Sequence, residues 1–522
     1  MNNNQTFNIK KRSLLDLINK ESSIFGCFFA IFVICYGYEL TNFNLSIDEE
    51  ILVNGTNWVG IGRWALQFIT VLFWPQPTTP FGPFILFGIF GSISIIILLN
   101  TFNIKKPIIV YLAIFPLFIA FPVWFTQVEF SSNIIGCGIA LLLNCLATYF
   151  TKSLFLQNNP ISKKIQYLLS ILIIIAFTVG IYQSFIFLYI VLSIPVFLHL
   201  YIQNGGIYSY FRRIIGVLSI AAAYFALSLL ISNLVMRLFH IKLDQYAESF
   251  LKIDMLLNEP KNILDTTIIQ INNIYGLYWS EFGFAEYIFL SIPFVGIILL
   301  SLSISSGKLT RNFVVIGSMI FIAIVPFSLN PFMGGEMPVR TFVAIPAVIW
   351  IFLFMPLIVS NSKKIELVIF IIGIIAFTQI LYIQSSIQAK AWTIQQHDIL
   401  LAESLYRKIA ELNSVKENNS PIKLAFFGAK TPYGNPYPTV YSSTNGASFF
   451  EWDEGNDYRI ISFMRLIGFN NLLPIDKDDC IRIIPEFSLM PSWPASGSVK
   501  LVGDTTIIKL SNGKPPIICR QK

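Results

Sequence analysis

Three consecutive carboxylates, Asp48, Glu49 and Glu50, are the residues of this chain best suited to do chemistry. They follow the first long apolar run, and a carboxylate held in a partly desolvated pocket has a raised pKa and can act as a general base. We predict that Asp48 is the base and that Glu49 orients it, binds an acceptor or joins it on a divalent metal. Glu50, two positions beyond Asp48 on a helix, should matter least. The alternative, three solvated loop acids without a function, stays open.

Two arginines stand where the chain enters apolar runs. Arg340 follows the Gly- and Pro-containing segment 334–338, and Arg63 lies between Gly62 and Trp64. A guanidinium at the depth of a membrane needs an anionic partner, and a lipid phosphate accepts its paired N–H groups well. We predict Arg340 as a phosphate ligand, with Arg63 as the second candidate.

Four further polar or aromatic residues are candidates for contacts with a sugar or another acceptor. Each also has a simpler interpretation. Glu129 could be a helix-end charge and Gln183 a helix cap, while Trp279 and Glu281 lie in an aromatic segment of the kind found at any membrane interface.

Zinc, nucleotide and nucleic-acid chemistry are not indicated. The three histidines (His199, His240 and His397) lie in unrelated segments, and the six cysteines show no CxxC spacing. The loops contain no Walker A or dinucleotide glycine motif, so a nucleotide-driven pump is excluded. We expect no cofactor other than a possible divalent metal.

The elements that must position these residues are membrane helices. Of 522 residues, 55% are hydrophobic and 12% charged, and the mean hydropathy is +0.66. Such a composition excludes a disordered chain, a nucleic-acid-binding protein and an ordinary soluble enzyme. Eleven apolar runs are long enough to cross a bilayer: 22–42, 80–100, 107–127, 134–150, 165–181, 184–203, 214–238, 284–304, 312–329, 342–360 and 365–385.

The distribution of cations predicts the orientation of these spans. Fifteen lysines and arginines precede the first span or fall in every second loop. By the positive-inside rule this side is cytoplasmic, which accounts for the net charge of +7. The cations are Lys10, Lys11, Arg12, Lys20, Lys105, Lys106, Lys152, Lys163, Lys164, Arg212, Arg213, Lys308, Arg311, Lys363 and Lys364.

The chain therefore divides into a transmembrane catalytic part, 1–385, and a C-terminal part, 386–522, on the side opposite the cytoplasm. Loops 43–79, 239–283 and 330–341 lie on the same side as the C-terminal part. In that part we predict an amphipathic helix over 389–412, a strand over 423–428 and a hairpin over 498–510 that turns at Gly503 and Asp504. The predicted fold is an α-helical polytopic membrane protein with a small C-terminal α+β domain.

Cys480 and Cys519 are the only cysteines outside the predicted spans. Both fall in the C-terminal part, which we place outside the cytoplasm in an oxidising compartment, so we predict that they form a disulfide. Two unpaired thiols remain the alternative, because the sequence does not fix the separation of their Cα atoms.

Several short motifs follow one another in a distinctive order along the polar segments. They are Ser46-Ile47-Asp48-Glu49, Gly62-Arg63-Trp64, Tyr182-Gln183-Ser184, Pro338-Val339-Arg340-Thr341, and the tail segments 451–459, 490–494 and 497–500. In this order they resemble the glucosyltransferase II family of bacterial and phage enzymes that modify O-antigen. The resemblance covers nearly the whole chain. In that family an Asp-Asp pair usually opens the first outer loop, whereas here the second acid is Glu49.

The resemblance implies a GT-C-like glycosyltransferase of the bacterial inner membrane. Its donor would be a sugar, usually glucose, carried on undecaprenyl phosphate. Its acceptor would be O-antigen or another lipid-linked polysaccharide on the periplasmic side, and the transfer would invert the anomeric centre. Arg340 and Arg63 would then hold the donor's phosphate, and Glu129, Gln183, Trp279 and Glu281 would contact the sugar or the acceptor.

Two other functions remain open at this point. A flippase or transporter of lipid-linked saccharides should carry polar residues inside its spans, which here are almost free of them. An O-antigen polymerase is usually marked by one very large outer loop in the middle of the chain rather than by a C-terminal outer domain.

Overall fold

The computed structural model describes residues 22–52, 57–75, 77, 79–103, 106–156, 159–244, 252–304, 309–414, 420–440 and 443–520. Six of the cations used to predict the orientation lie outside these residues, namely Lys10, Lys11, Arg12, Lys20, Lys105 and Lys308.

Sixteen helices build the larger part of the described chain, because apolar segments satisfy their backbone hydrogen bonds internally only as helices. Polar or Gly-containing breaks separate them, such as Asn103, whose left-handed backbone (φ 56°) ends α4. The helices are α1 (Ser22–Tyr36), α2 (Glu49–Leu52), α3 (Trp64–Leu72), α4 (Phe81–Phe102), α5 (Ile108–Ile119), α6 (Pro122–Val128), α7 (Ser131–Leu156), α8 (Ile161–Ile181), α9 (Phe185–Asn204), α10 (Ile207–Leu238), α11 (Ile253–Asn258), α12 (Pro260–Tyr275), α13 (Ala285–Ser303), α14 (Leu309–Ile324), α15 (Ile345–Val359) and α16 (Lys363–Leu412).

Among the described residues, eight helices are long and apolar enough to cross a membrane. The pair α5 and α6 also qualifies if it is counted as one bent span. The two remaining predicted runs, 22–42 and 342–360, correspond to α1 and α15, which have only 15 residues each. A helix of that length reaches roughly 22 Å, less than a hydrocarbon core of about 30 Å. The structure thus supports a multi-pass membrane protein, and the count of eleven spans stays a prediction.

The bend between α5 and α6 places the end of a short helix at the candidate site. The two helices meet at 47°. Pro122 begins α6, and since proline cannot donate a backbone hydrogen bond to the preceding turn, the helix breaks there. Glu129 directly follows α6, at the point where the chain turns into α7.

Glycines allow the closest helix contacts in the apolar core. A Cβ atom at Gly296 of α13 would clash with the carbonyl oxygen of Phe352 in α15. A Cβ atom at Gly373 of α16 would meet the carbonyl oxygen of Ala113 in α5 at 2.8 Å. Small residues let membrane helices approach each other in this way.

The C-terminal part is a four-stranded sheet flanked by short helices. The strand order is β2-β1-β4-β3, in which β1 is parallel to both neighbours and β3 is antiparallel to β4. The predicted hairpin is confirmed, with Val502 paired to Thr505 across the turn, and the strand predicted at 423–428 is observed at Ile422–Phe427. The elements are β1 (Ile422–Phe427), α17 (Trp452–Gly455), α18 (Asp457–Leu466), β2 (Leu472–Pro474), α19 (Asp479–Leu489), β3 (Val499–Val502), β4 (Thr505–Lys509) and α20 (Ile517–Arg520).

One helix joins the two parts. The predicted span 365–385 and the predicted amphipathic helix 389–412 are portions of α16, which has 50 residues and no break between them. Its C-terminal half carries Leu401 and Leu405 into the core of the C-terminal part. The predicted boundary at 385 therefore falls inside a continuous helix.

Candidate active site

Glu49 ties the first loop to the beginning of α7. It is only 2% exposed, and its two oxygens accept hydrogen bonds from the backbone N–H groups of Ser46 (3.0 Å) and Ser131 (2.7 Å). Burial raises the pKa of Glu49 to about 7, although these hydrogen bonds act in the opposite direction. Both oxygens are thus engaged with backbone donors.

Asp48 and Glu50, the two neighbours of Glu49 in the chain, both bind the guanidinium group of one arginine. Arg459 of α18 donates to Asp48 at 2.7 Å, to Glu50 at 2.6 Å and to Asp453 at 2.8 Å. The Glu50 side chain is fully buried, while that of Asp48 is 42% exposed. Burial raises the pKa of Glu50 against the opposing charge of Arg459.

The expectation that Glu50 points away from Asp48 is wrong. Asp48 has a positive φ of 83° and precedes helix α2, which begins at Glu49. Helical spacing therefore does not apply to the pair. The chain reverses at Asp48, so its carboxylate and that of Glu50 converge on Arg459.

Glu129 lies where the helical bundle meets the C-terminal part. Its Oε2 accepts hydrogen bonds from the Ser443 hydroxyl (2.7 Å) and the Asn445 backbone N–H (3.1 Å). Its Oε1 is buried and accepts no hydrogen bond of standard geometry within the described residues, although the Thr444 hydroxyl lies close enough to lower the pKa of Glu129. Burial raises the pKa of Glu129 to about 7, while the nearby charge of Arg340 acts to lower it. Glu129 thus combines an uncommitted oxygen with a basicity suited to proton transfer near neutral pH.

A small cavity of about 40 Å³ lies beside Glu129 and is also lined by Glu39 and Gln388. Glu39 Oε1 accepts a hydrogen bond from Gln388 at 2.6 Å, and its Oε2 is buried without a partner in the described part of the chain. Burial raises the pKa of Glu39 to about 7 as well. The cavity is large enough for a water molecule, and the two carboxylates supply polar partners for one.

The two predicted arginines approach the site from different directions. Arg340 lies over the ring of Phe130 at 5.5 Å, and its turn Val339–Thr341 packs against α6. Arg63 lies over the ring of Tyr182 at 4.5 Å and that of Trp58 at 5.6 Å. Arg340 is therefore the arginine that faces Glu129.

The other three predicted residues lie apart from this cluster. Gln183 donates to the carbonyl oxygen of Ile61 at 3.3 Å, so it holds the first loop. Trp279 is 0% exposed, with its N–H bonded to Ile274, and this placement favours packing over sugar stacking. Glu281 is exposed and lies within electrostatic range of Lys390 in α16.

Several residues of the site were not predicted. Glu39 lies in the run 22–42, where an ionisable residue is itself a functional signal. In the structure, however, α1 ends at Tyr36, before this residue. Arg459 belongs to the motif 451–459, although nothing in that motif indicates the first loop as its partner. Ser443 and Asn445 carry no recognisable signal.

A preformed metal site is not present among the described residues, where no three His, Cys, Asp or Glu side chains are grouped as metal ligands. Asp48 binds Arg459 and Glu49 binds two backbone N–H groups. The two carboxylates therefore do not converge in the way that a shared divalent metal would require.

The apolar helices are those of a multi-pass membrane protein. Carboxylates and arginines meet where these helices contact the C-terminal part. A family model described as glucosyl transferase GtrII matches residues 37–357, and the chain belongs to this family of membrane glucosyltransferases. The match confirms the resemblance noted from the motifs. It contains all eight predicted site residues, whereas Ser443, Asn445 and Arg459 lie beyond it. Neither a curated protein nor a solved structure matches this chain.

Proposed function

We propose that this membrane glucosyltransferase moves glucose from undecaprenyl phosphate to O-antigen or another lipid-linked polysaccharide on the periplasmic side. The observation that carries the proposal is Glu129, which has one unpaired oxygen and stands beside Arg340 at the end of the apolar bundle. A donor carried by a lipid presents its phosphate at this level of a bilayer. The site thus offers a base and a phosphate ligand at one boundary.

The reaction is a single displacement. An acceptor hydroxyl gives its proton to a carboxylate while its oxygen attacks the anomeric carbon of glucose. The bond from that carbon to the phosphate oxygen breaks, and undecaprenyl phosphate leaves with the electron pair. Arg340 stabilises the negative charge on the leaving phosphate, with Arg63 as the second candidate. One displacement inverts the anomeric configuration.

Two carboxylates compete for the role of base. The sequence favours Asp48, but its carboxylate already accepts a hydrogen bond from Arg459 at 2.7 Å. Glu129 has a pKa raised to about 7 and an oxygen that accepts no hydrogen bond of standard geometry from a described residue. We therefore assign the proton transfer to Glu129. In the resting structure Asp48 is part of the connection to the C-terminal part.

The assignment is tested by expressing Glu129→Gln and Asp48→Asn in cells that lack the native gene. Mass analysis of the surface polysaccharide then shows whether one hexose per repeat is present. We expect Glu129→Gln to lose the hexose at matched membrane levels and Asp48→Asn to retain most of it. The reverse result would return the base to Asp48.

The alternative functions are separated by the same experiment. If deletion of the gene removes the whole polysaccharide or shortens its chains, transport or polymerisation is favoured over glucosyl transfer. Loss of one glucose from each repeat of an otherwise complete polysaccharide supports the proposed function.

A further inference from the structure

A second and larger cavity of about 680 Å³ opens between the middle of α16 and the segments 432–440 and 443–453. Its lining includes Lys390, Asn435, Thr439, Asn445 and Trp452, all beyond the 37–357 range that defines the family. The volume falls within the ~300–1,000 Å³ typical of pockets that bind small molecules. We refer to this cavity as the tail cleft.

Three residues that line the tail cleft each carry a buried polar atom without a partner. Asn435 Nδ2, Thr439 Oγ1 and Asn445 Oδ1 are buried, and none has a hydrogen-bond partner within the described residues. Buried polar atoms are normally paired, so three unpaired ones in the wall of one cavity are unusual. An amide N–H donates, an amide oxygen accepts and a hydroxyl does both. The matching ligand must also donate and accept, as the hydroxyl groups of a sugar do.

Aromatic side chains accompany these polar atoms. Trp452 lines the tail cleft and is partly exposed. Tyr433 and Tyr437, in the loop that forms one wall, are 86% and 42% exposed. Aromatic rings offer a large apolar surface at a low entropic cost, which suits the apolar faces of sugar rings.

The tail cleft leads to the proposed base. Ser443 and Asn445 line it, and both donate to Glu129 Oε2. A ligand in the tail cleft is thus separated from Glu129 by the Ser443 hydroxyl and the Asn445 backbone N–H, which both bond to Glu129. Lys390 lines the cleft from α16.

We propose that the tail cleft binds the saccharide acceptor next to Ser443 and Asn445, the two residues that hydrogen-bond to Glu129. This inference rests on the proposed function and names the place where its acceptor is recognised. The class of ligand is a neutral or weakly charged oligosaccharide. Recognition is supplied by Asn435, Thr439 and Trp452.

The test is a binding measurement that does not depend on turnover. The probe is fluorescently labelled polysaccharide from cells that lack the gene, titrated into the purified full-length protein in detergent. Asn435→Ala and Thr439→Val each remove a hydrogen bond worth ~0.5–1.5 kcal/mol, so we expect each to raise Kd about two- to tenfold. Asn470→Ala is the matched control, because Asn470 is an exposed asparagine of the same part of the chain that does not line the cleft.

The outcomes separate the two proposals. If both variants keep the wild-type Kd and the wild-type unfolding temperature, the tail cleft does not bind the acceptor, even if glucose transfer is observed. Weakened binding in either correctly folded variant supports the cleft even if undecaprenyl phosphate glucose proves not to be the donor. In the transfer reaction, a higher acceptor KM with an unchanged donor KM provides the second supporting readout.

Discussion

Three buried glutamates share a raised pKa but differ in what their oxygens contact. Burial raises the pKa of Glu39, Glu49 and Glu129 to about 7 in each case. Glu49 uses both oxygens on backbone N–H groups, whereas Glu39 and Glu129 each retain one that is unpaired among the described residues. At the residue scale, we therefore predict a structural role for Glu49 and a reactive one for Glu129.

Replacing Glu49 by glutamine should destabilise the protein. A glutamine has one accepting oxygen, so either the Ser46 or the Ser131 N–H would be left unpaired and facing an amide NH₂. A buried unsatisfied donor costs roughly 1–3 kcal/mol. We expect a lower unfolding temperature for Glu49→Gln in detergent, with Glu403→Gln on the exposed face of α16 as the control. An unchanged unfolding temperature combined with lost turnover would instead place Glu49 in the chemistry.

The rate of transfer should rise as the pH rises through about 7, because Glu129 accepts a proton only when it is ionised. Glu129→Gln should lower the rate by roughly 10²–10⁴ and abolish this pH step. The measurement is the pH profile of glucose transfer by the purified protein. A step that persists in Glu129→Gln would assign the titration to Glu39 or Glu49.

The free energy of unfolding should fall as the pH rises, whereas the rate of transfer should rise. In the folded protein the pKa of each of the three glutamates is about 7, above the ordinary value of 4.5 that a glutamate has in the unfolded chain. Their protonated forms therefore stabilise the fold fully below about 4.5, and this contribution is lost as the pH rises through 7. The pH of fastest turnover then lies above the pH at which these glutamates stabilise the folded protein most.

At the scale of elements, α18 is attached to the first loop through Arg459. Its partners Asp48 and Glu50 are separated from it by 411 and 409 residues in the chain. The periodicity of a sequence indicates which local element forms, but not which distant charge it meets. The hairpin at 498–510 was predictable because turn and strand signals are local, while the Arg459 pairs were not.

Arg459→Ala should loosen the connection between the first loop and the C-terminal part. It leaves the fully buried Glu50 carboxylate without its cation, and breaking a buried pair costs roughly 3–5 kcal/mol. Arg459→Lys should recover only part of this, because an ammonium group lacks the planar fork that reaches three carboxylates. Unfolding temperatures of both variants test the prediction, with the exposed Arg407→Ala as the control. Equal stability of all three proteins would contradict it.

The contact between α19 and α20 carries a second prediction at this scale. The structure joins Cys480 and Cys519 in a disulfide, with Cα atoms 5.6 Å apart. In protein purified from membranes, thiol alkylation of these two cysteines should appear only after reduction. Cys27, Cys35, Cys137 and Cys145 are free, so Cys480→Ser/Cys519→Ser is the background control. Equal labelling with and without reductant would reject the bond.

At the scale of the whole molecule, the orientation of the spans remains the central expectation. A reporter that is active only in the periplasm should be active when fused after Gln388 and silent when fused at Asn361. Both positions flank the apolar half of α16, so the pair of fusions tests one crossing of the bilayer. The opposite pattern would reverse the side on which transfer is proposed.

The sequence predicted the two halves of α16 but not their continuity. Polar residues near 386 suggested a boundary, because a change of composition usually marks the end of a span. Gln384 and Gln388 instead continue the helix, and Gln388 bonds to Glu39. Side-chain partners on neighbouring elements thus allowed polar residues to stay within an unbroken helix.

Because α16 is unbroken, its length sets how far the residues of its C-terminal half lie from its apolar half. With 50 residues, it measures roughly 75 Å, more than twice the thickness of a hydrocarbon core. The same rod carries Gln388 at the small cavity, Lys390 at the tail cleft and Asp398, which accepts hydrogen bonds from Ser448 and Phe449. Each added residue would lift its far end by about 1.5 Å and turn it by about 100°. The length of this helix therefore sets how far beyond the apolar bundle these three residues lie. Under the proposed function, that distance would determine which sugar of the acceptor arrives level with Glu129.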